Sequence, residues 1–223
     1  MPVNFKNLQS ILKELSAYDA SLVAVSKLKP VELIREVYET GHKSFGENYV
    51  QELSEKQTQL PNDINWHMIG HLQSNKVKYI APFVSLIHCV DSLNLLKEIN
   101  KQAKKNNRII SCLLQIYIAK EETKFGLSFE ECEILLQSEE LKSLNNICIT
   151  GFMGMATNTS DESQIRKEFK SLKSFFIQTK SSFLPTDNCN LQTLSCGMTS
   201  DYKIALEEGS NMVRIGSAIF GDR

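Results

Sequence analysis

Leu22-Val23-Ala24-Val25 is a short apolar run; a helix-period stretch from Val31 to Thr40 follows it, Gly41 stops that stretch, and Ser44-Phe45 opens the next run. An apolar run without polar alternation is the pattern of a strand buried on both faces, which places it in a parallel sheet beneath helices. The unit then repeats. Further strand candidates lie at Asn65-Trp66-His67-Met68-Ile69, Val84 to Val90, Cys112 to Ile118, Ile147 to Phe152, Leu191 to Leu194 and Met212 to Ile215. Helical patterns separate them at Val50 to Gln57, Asn75 to Ile80, Leu93 to Lys104, Phe129 to Leu136, Glu162 to Thr179 and Tyr202 to Glu208, with a stub near Ala218. Ser128-Phe129-Glu130-Glu131 is a capping box that starts one helix, and Gly209 ends another. Ahead of the first strand, Phe5, Leu8, Ile11, Leu12 and Leu15 share one helical stripe and predict an extra N-terminal helix. Eight strand–helix units with no Pro/Gly/Ser-rich linker between them predict one domain over 1–223, an α/β single-domain (β/α)8 TIM barrel, in preference to an open doubly wound sheet.

Composition narrows the function. The 223 residues carry 25 Lys+Arg against 26 Asp+Glu, a formal net charge of -1, with 42% apolar residues. That is enough apolar material for one substantial core, and the balanced charge argues against a nucleic-acid partner, which needs a basic surplus or stripe. No apolar run approaches the ~18 to 20 residues needed to span a bilayer. Met1-Pro2-Val3-Asn4-Phe5-Lys6 lacks the apolar block of a secretion signal, so a cytoplasmic protein is expected. The six cysteines form no CxxC pair and sit mostly in apolar runs, as small hydrophobes do in a reducing compartment. His67 and His71 are four apart, but Trp66 to Ile69 reads as strand and no third ligand is near, so no metal site is expected.

In such a barrel the chemistry sits where strands end and βα loops begin. The first strand delivers Lys27, and a lysine closing an apolar strand is a candidate Schiff-base nucleophile, although one snorkelling to solvent gives the same pattern. The seventh strand runs into Ser195-Cys196-Gly197-Met198-Thr199-Ser200-Asp201 at the start of a helix, and the eighth ends in Arg214-Ile215-Gly216-Ser217-Ala218. Loops after strands seven and eight form the recurrent phosphate site of this fold, although Ser, Thr and Gly are also ordinary cap residues. A phosphate anchor facing an amine across one barrel mouth suggests pyridoxal phosphate or a sugar-phosphate aldolase. Asn48 and His67 end other strands, while Asp91-Ser92 reads as a helix cap and Asp201 as a local acceptor.

At these residues the sequence resembles a known family. Ala24-Val25-Ser26-Lys27, Phe45-Gly46-Glu47-Asn48, Trp66-His67-Met68-Ile69-Gly70-His71-Leu72-Gln73-Ser74-Asn75-Lys76, Gly151-Phe152-Met153 and Val213-Arg214-Ile215-Gly216-Ser217-Ala218-Ile219-Phe220-Gly221 are similar to the YggS/PROSC family of pyridoxal phosphate homeostasis proteins. The resemblance implies a barrel of the alanine racemase N-terminal domain type that binds pyridoxal 5'-phosphate as a Schiff base on Lys27. It implies further that Asn48 lies beside the cofactor ring, that Ser195, Met198 and Thr199 hold the phosphate with the backbone of Gly216 and Ser217, and that Arg214 faces the pyridine nitrogen or the phosphate. His67 and Met153, in two of the shared motifs, complete the candidate set. Cys196 and Thr199 stand where the family more often has Met and Ser, and Phe152 where Leu is usual; Cys196 leaves redox sensitivity beside the aldehyde open.

An arginine at the ring nitrogen keeps it unprotonated and weakens carbanion stabilisation. Racemases compensate with a second base from a separate β domain, and the sequence ends at Arg223 without one. The expectation is therefore a monomeric carrier without robust turnover or catalytic residues, whose partners are the cofactor and, transiently, apo pyridoxal phosphate enzymes. The alternatives are a minimal amino-acid racemase, with Lys27 as base and water or His67 opposite, and a class I Schiff-base aldolase.

Overall fold

The computed structural model describes residues 2–120, 125–182 and 185–221. Its strands are β1 (Ser21–Val25), β2 (Ser44–Glu47), β3 (Asn65–Met68), β4 (Leu86–Val90), β5 (Ile110–Ile116), β6 (Ile147–Gly154), β7 (Cys189–Ser195) and β8 (Met212–Ile215). They close into a barrel in chain order, every neighbouring pair parallel. β8 returns to β1 with Leu22 opposite Val213 and Ala24 opposite Ile215. The eight-stranded closed barrel read from the sequence is the fold observed.

The helices are α1 (Phe5–Ser16), α2 (Val31–Glu39), α3 (Val50–Gln57), α4 (Val77–Ile80), α5 (Leu93–Lys105), α6 (Phe129–Gln137), α7 (Glu139–Lys142), α8 (Glu162–Ser182), α9 (Tyr202–Glu207) and α10 (Ser217–Phe220). The capping box forms as read: the Ser128 hydroxyl accepts from Glu131 N while the Glu131 carboxylate accepts from Ser128 N. Ser92 caps α5 through Leu95 N, as its position after β4 suggested. Two local readings need correction. The stripe of α1 is narrower than five residues, because Leu8, Ile11 and Leu15 are buried while Phe5 and Leu12 are exposed. Residues 75–80 split into a 3-10 turn, Ser74–Lys76, and α4. The four-residue α7, capped by Ser138, is too short to show a period and was not legible.

The core has two layers. Between barrel and helices, Phe45, Trp66 and Phe152 from the strands meet Ile34, Leu53 and Leu172 from α2, α3 and α8. Inside the barrel, Leu86, Leu113 and Met153 pack with Met155 and Met212. The barrel is not apolar throughout, since His67, His88, Ser195 and Arg214 are buried as well. α1 is fixed to the last βα unit, where Asn4 N donates to Ile219 O (2.8 Å) and the Asn7 side chain donates to Ala218 O (3.1 Å).

Candidate functional site

The C-terminal ends of β1, β2, β7 and β8 surround a cavity of about 600 Å3 lined by Val25, Lys27, Asn48, Thr199, Arg214 and Gly216 among others. Lys27 enters it two residues past the end of β1. The stretch around it is held on both sides. Ser26 N donates to Gly46 O (3.0 Å), and Lys29 N donates back to Ser26 O (3.0 Å). Leu28, between the two lysines, adopts a left-handed φ of 59°. The Lys29 ammonium donates to Gly221 O (2.9 Å) and lines the same cavity.

Across from Lys27, the loop after β7 turns at Gly197, whose φ of +92° suits glycine and whose missing side chain lets Tyr202 and Ala205 come close: a Cβ there would lie 2.7 Å from that of Ala205. Met198 N then donates to the Asp201 carboxylate at 2.6 Å, closing the loop in the acceptor role read for Asp201. Thr199 Oγ1 accepts from Gly216 N at 3.4 Å, so the loops after β7 and β8 meet. Gly216 presses on β1, where a Cβ would sit 3.0 Å from Val25 O. Thr199, Ser200 and Ser217 thus present three hydroxyls beside exposed backbone at one end of the cavity.

Arg214 forms the cavity's inner wall and is 4% exposed. It donates to Ser195 O (2.8 Å), Ser195 Oγ (2.7 Å) and Gly154 O (3.2 Å), which occupies three of its five N–H groups. Burial lowers its pKa, yet a guanidinium stays charged throughout the physiological range. The contacts continue downward: Ser195 Oγ lies 3.2 Å from His88 Nδ1, and His88 Nε2 lies 2.9 Å from His67 Nδ1. Arginine can only donate, so Ser195 Oγ accepts at this end of the row, and the hydrogen-bond directions between Ser195, His88 and His67 follow the imidazole tautomers. Burial pushes His67 down to about 4 and His88 well below the ordinary imidazole value, so both rings are neutral at pH 7.

The alanine racemase N-terminal domain family matches residues 4–223. A pyridoxal phosphate homeostasis protein of Aquifex aeolicus is 39% identical over 92% of this chain and 87% of its own, and that of Pasteurella multocida is 36% identical over 98% and 94%. Among solved structures, PipY of Synechococcus elongatus with pyridoxal phosphate bound superposes with a TM-score of 0.85 at 31% identity, covering 97% of this chain and 99% of PipY. This chain belongs to the pyridoxal phosphate homeostasis protein family.

Of the residues singled out in sequence, this family barrel gathers Lys27, Asn48, Met198, Thr199, Arg214, Gly216 and Ser217 around one cavity. Three others lie elsewhere. Ser195 is fully buried and engaged by Arg214, so it reaches the cavity only through that guanidinium. Met153 belongs to the interior layer below, and Met155 lines the cavity instead. His67 is 6% exposed, at the foot of the polar row and away from the mouth, so it is not placed as a base opposite Lys27. His71 diverges from it, lying 3.8 Å from Asp91 and stacking on Phe125. Cys196 is buried outside the cavity lining, and burial pushes its thiol up to about 12. Ser200, in the loop read as a phosphate site, lines the cavity, as do Lys29 and Ile69, which were not read as site residues; the second lysine of Lys27-Leu28-Lys29 was the available signal.

A larger hollow of about 870 Å3 adjoins past Asn48, lined by Tyr49, Glu52, His71, Lys76 and Tyr79 among others. The smaller cavity is the candidate site by its chemistry, since among the described residues it joins a lysine amine, a buried guanidinium and three hydroxyl-bearing residues. That donor set fits pyridoxal 5'-phosphate: an amine for the aldehyde, hydroxyls and backbone for the phosphate, and a donor-only group for a ring or phosphate acceptor.

Proposed function

We propose that this protein holds pyridoxal 5'-phosphate reversibly on Lys27 and passes it to apo enzymes, acting as a cytoplasmic monomer that keeps the free aldehyde low. The observation that carries this reading is the meeting of Lys27 with the Thr199–Gly216 contact and Arg214 in one cavity. Relatives over nearly the whole chain are named for homeostasis of this cofactor, and a neighbour was solved with it bound. Among the described residues, no helix is long and apolar enough to cross a membrane.

Each residue has a defined task. Lys27 would hold the cofactor through its amine, the nucleophile that the aldehyde needs, with water as the by-product of the condensation. Thr199, Ser200 and Ser217 bind the anionic tail. Arg214, held at the inner wall by Ser195 and Gly154, requires an unprotonated acceptor opposite it. Pyridoxal phosphate would supply an electron sink that depends on a protonated ring nitrogen, and the lining of this cavity holds a guanidinium and no carboxylate among the described residues to support that protonation. With His67 absent from the lining, the two-base arrangement that it would complete for a racemase is not built.

The direct test mixes loaded protein with an apo pyridoxal phosphate enzyme. Activity is expected to return faster than spontaneous cofactor release allows; recovery at the spontaneous rate would reject delivery and leave storage alone. Thr199→Ala is expected to weaken retention by one charge-assisted hydrogen bond, on the order of 1.5 to 3 kcal/mol, read as faster cofactor loss on dialysis. Unchanged retention would remove Thr199 from the phosphate site.

A further inference from the structure

Beside the cavity, on the outer side of the barrel, lies a cluster of three ionisable groups with no place in the chemistry above. The Lys56 ammonium, on α3, donates to Glu47 Oε1 (2.7 Å), Glu52 Oε1 (2.6 Å) and Ser26 O (2.7 Å). The Glu47 side chain is fully buried, Lys56 is 7% exposed and Glu52 19%. The second oxygens of both carboxylates are buried without a hydrogen-bond partner. Such an arrangement is poor design for stability alone, because desolvation offsets most of the attraction and well-packed apolar residues commonly do as well.

What the cluster touches gives it a purpose. The Ser26 hydroxyl donates to Glu47 Oε1 (2.7 Å) and the Ser26 carbonyl accepts from Lys56, so the residue before Lys27 is fixed at two atoms. Leu28 N donates to Glu52 Oε1 at 2.6 Å, so the residue after Lys27 is fixed too. Leu28 is a branched, exposed residue in a left-handed conformation that such residues rarely adopt, and Glu52 accepts from its N–H. The backbone on either side of the reactive lysine is thus tied to one buried ammonium through two carboxylates.

We propose that Glu52, held by Lys56, is a positioning residue for Lys27: through Leu28 N and Ser26 it sets the backbone that aims the amine, and so controls covalent capture of an aldehyde without contributing to phosphate binding. The proposal rests on the cofactor reading given above and deepens it. Glu52 contacts the backbone and Lys56, not the cavity around Lys27. Capture should therefore be separable from affinity.

The test compares two ligands on the full chain. Pyridoxal 5'-phosphate reports capture through its near-visible absorbance, and pyridoxamine 5'-phosphate, which has an amine in place of the aldehyde, reports the remaining binding. Glu52→Ala is expected to lower the captured fraction at equilibrium about tenfold, as for one lost charge-assisted hydrogen bond, with pyridoxamine phosphate affinity within about twofold of the parent. Glu52→Gln, which keeps an oxygen for Leu28 N, is expected to restore most of the capture. Unchanged capture in Glu52→Ala, a parallel loss of both ligands, or equal loss in Glu52→Gln would each overturn the proposal. Should Glu52→Ala fail to fold, Ser26→Ala removes one tie to Glu47 and is expected to show a smaller drop in capture alone; no drop overturns the proposal. A parent protein that binds neither ligand would instead overturn the cofactor reading.

Discussion

Lys27→Ala is expected to abolish the near-visible absorbance that develops when the protein is mixed with pyridoxal 5'-phosphate. Lys29 shares the cavity, but its ammonium is already bonded to Gly221 O across the β1–β8 seam, so it is not placed to substitute. The variant should not lose all affinity, because Thr199, Ser200, Ser217 and Arg214 remain. Borohydride reduction followed by peptide mapping checks both halves: in the parent the label falls on the peptide containing Lys27, and in the variant no stoichiometric label remains. A label of equal yield on Lys29 in the variant would move the covalent site by two residues. A parent that stays colourless would remove the basis for the cofactor reading.

Acid is expected to destabilise the fold well above the range where carboxylates titrate. His67 is held down to about 4 by burial, aided by repulsion from His42, whereas in the unfolded chain it titrates near 6.5. The unfolded state therefore binds more protons than the native state between those values, and stability rises with pH across that window. His67 alone accounts for about 2 kcal/mol lost between pH 7 and pH 5, and about 3 kcal/mol by pH 4. His88 acts in the same direction, being lowered by burial and by repulsion from His67 and Arg214. Glu47 is raised by burial and acts in the opposite direction at the acid end, so the clean comparison is parent against His67→Asn. Urea unfolding at pH 7 and pH 5 should show a shallower loss in the variant. Identical slopes would mean that His67 is not held neutral in the native state.

Much of this was legible in sequence because strand ends are. Lys27, Asn48, Gly216 and Ser217 lie within two residues of a strand's end and Thr199 in the short loop after β7, and in a closed parallel barrel the residues past a strand reach the mouth. Ser195, Met153 and His67 lie within β7, β6 and β3, where facing is set by the pleat and by depth in the barrel. A motif cannot supply that depth, and it separates Thr199 at the rim from Ser195 under the guanidinium. The cluster beneath Lys27 was illegible for another reason. Glu52 and Lys56 are spaced i,i+4, the ordinary pattern of a solvated helix face, and only packing α3 against β1 and β2 turns that pair inward. Local spacing carries the pair; tertiary burial gives it a function.

The row from Arg214 through Ser195 and His88 to His67 has a polarity as well as a path. Its upper end is fixed as a donor, because a guanidinium has no lone pair with which to accept a hydrogen bond. Methionine in place of that arginine would remove the donor to Ser195 Oγ and leave that hydroxyl free to swivel between partners. The floor and the mouth of the barrel are joined by orientation, with no atom needing to travel between them.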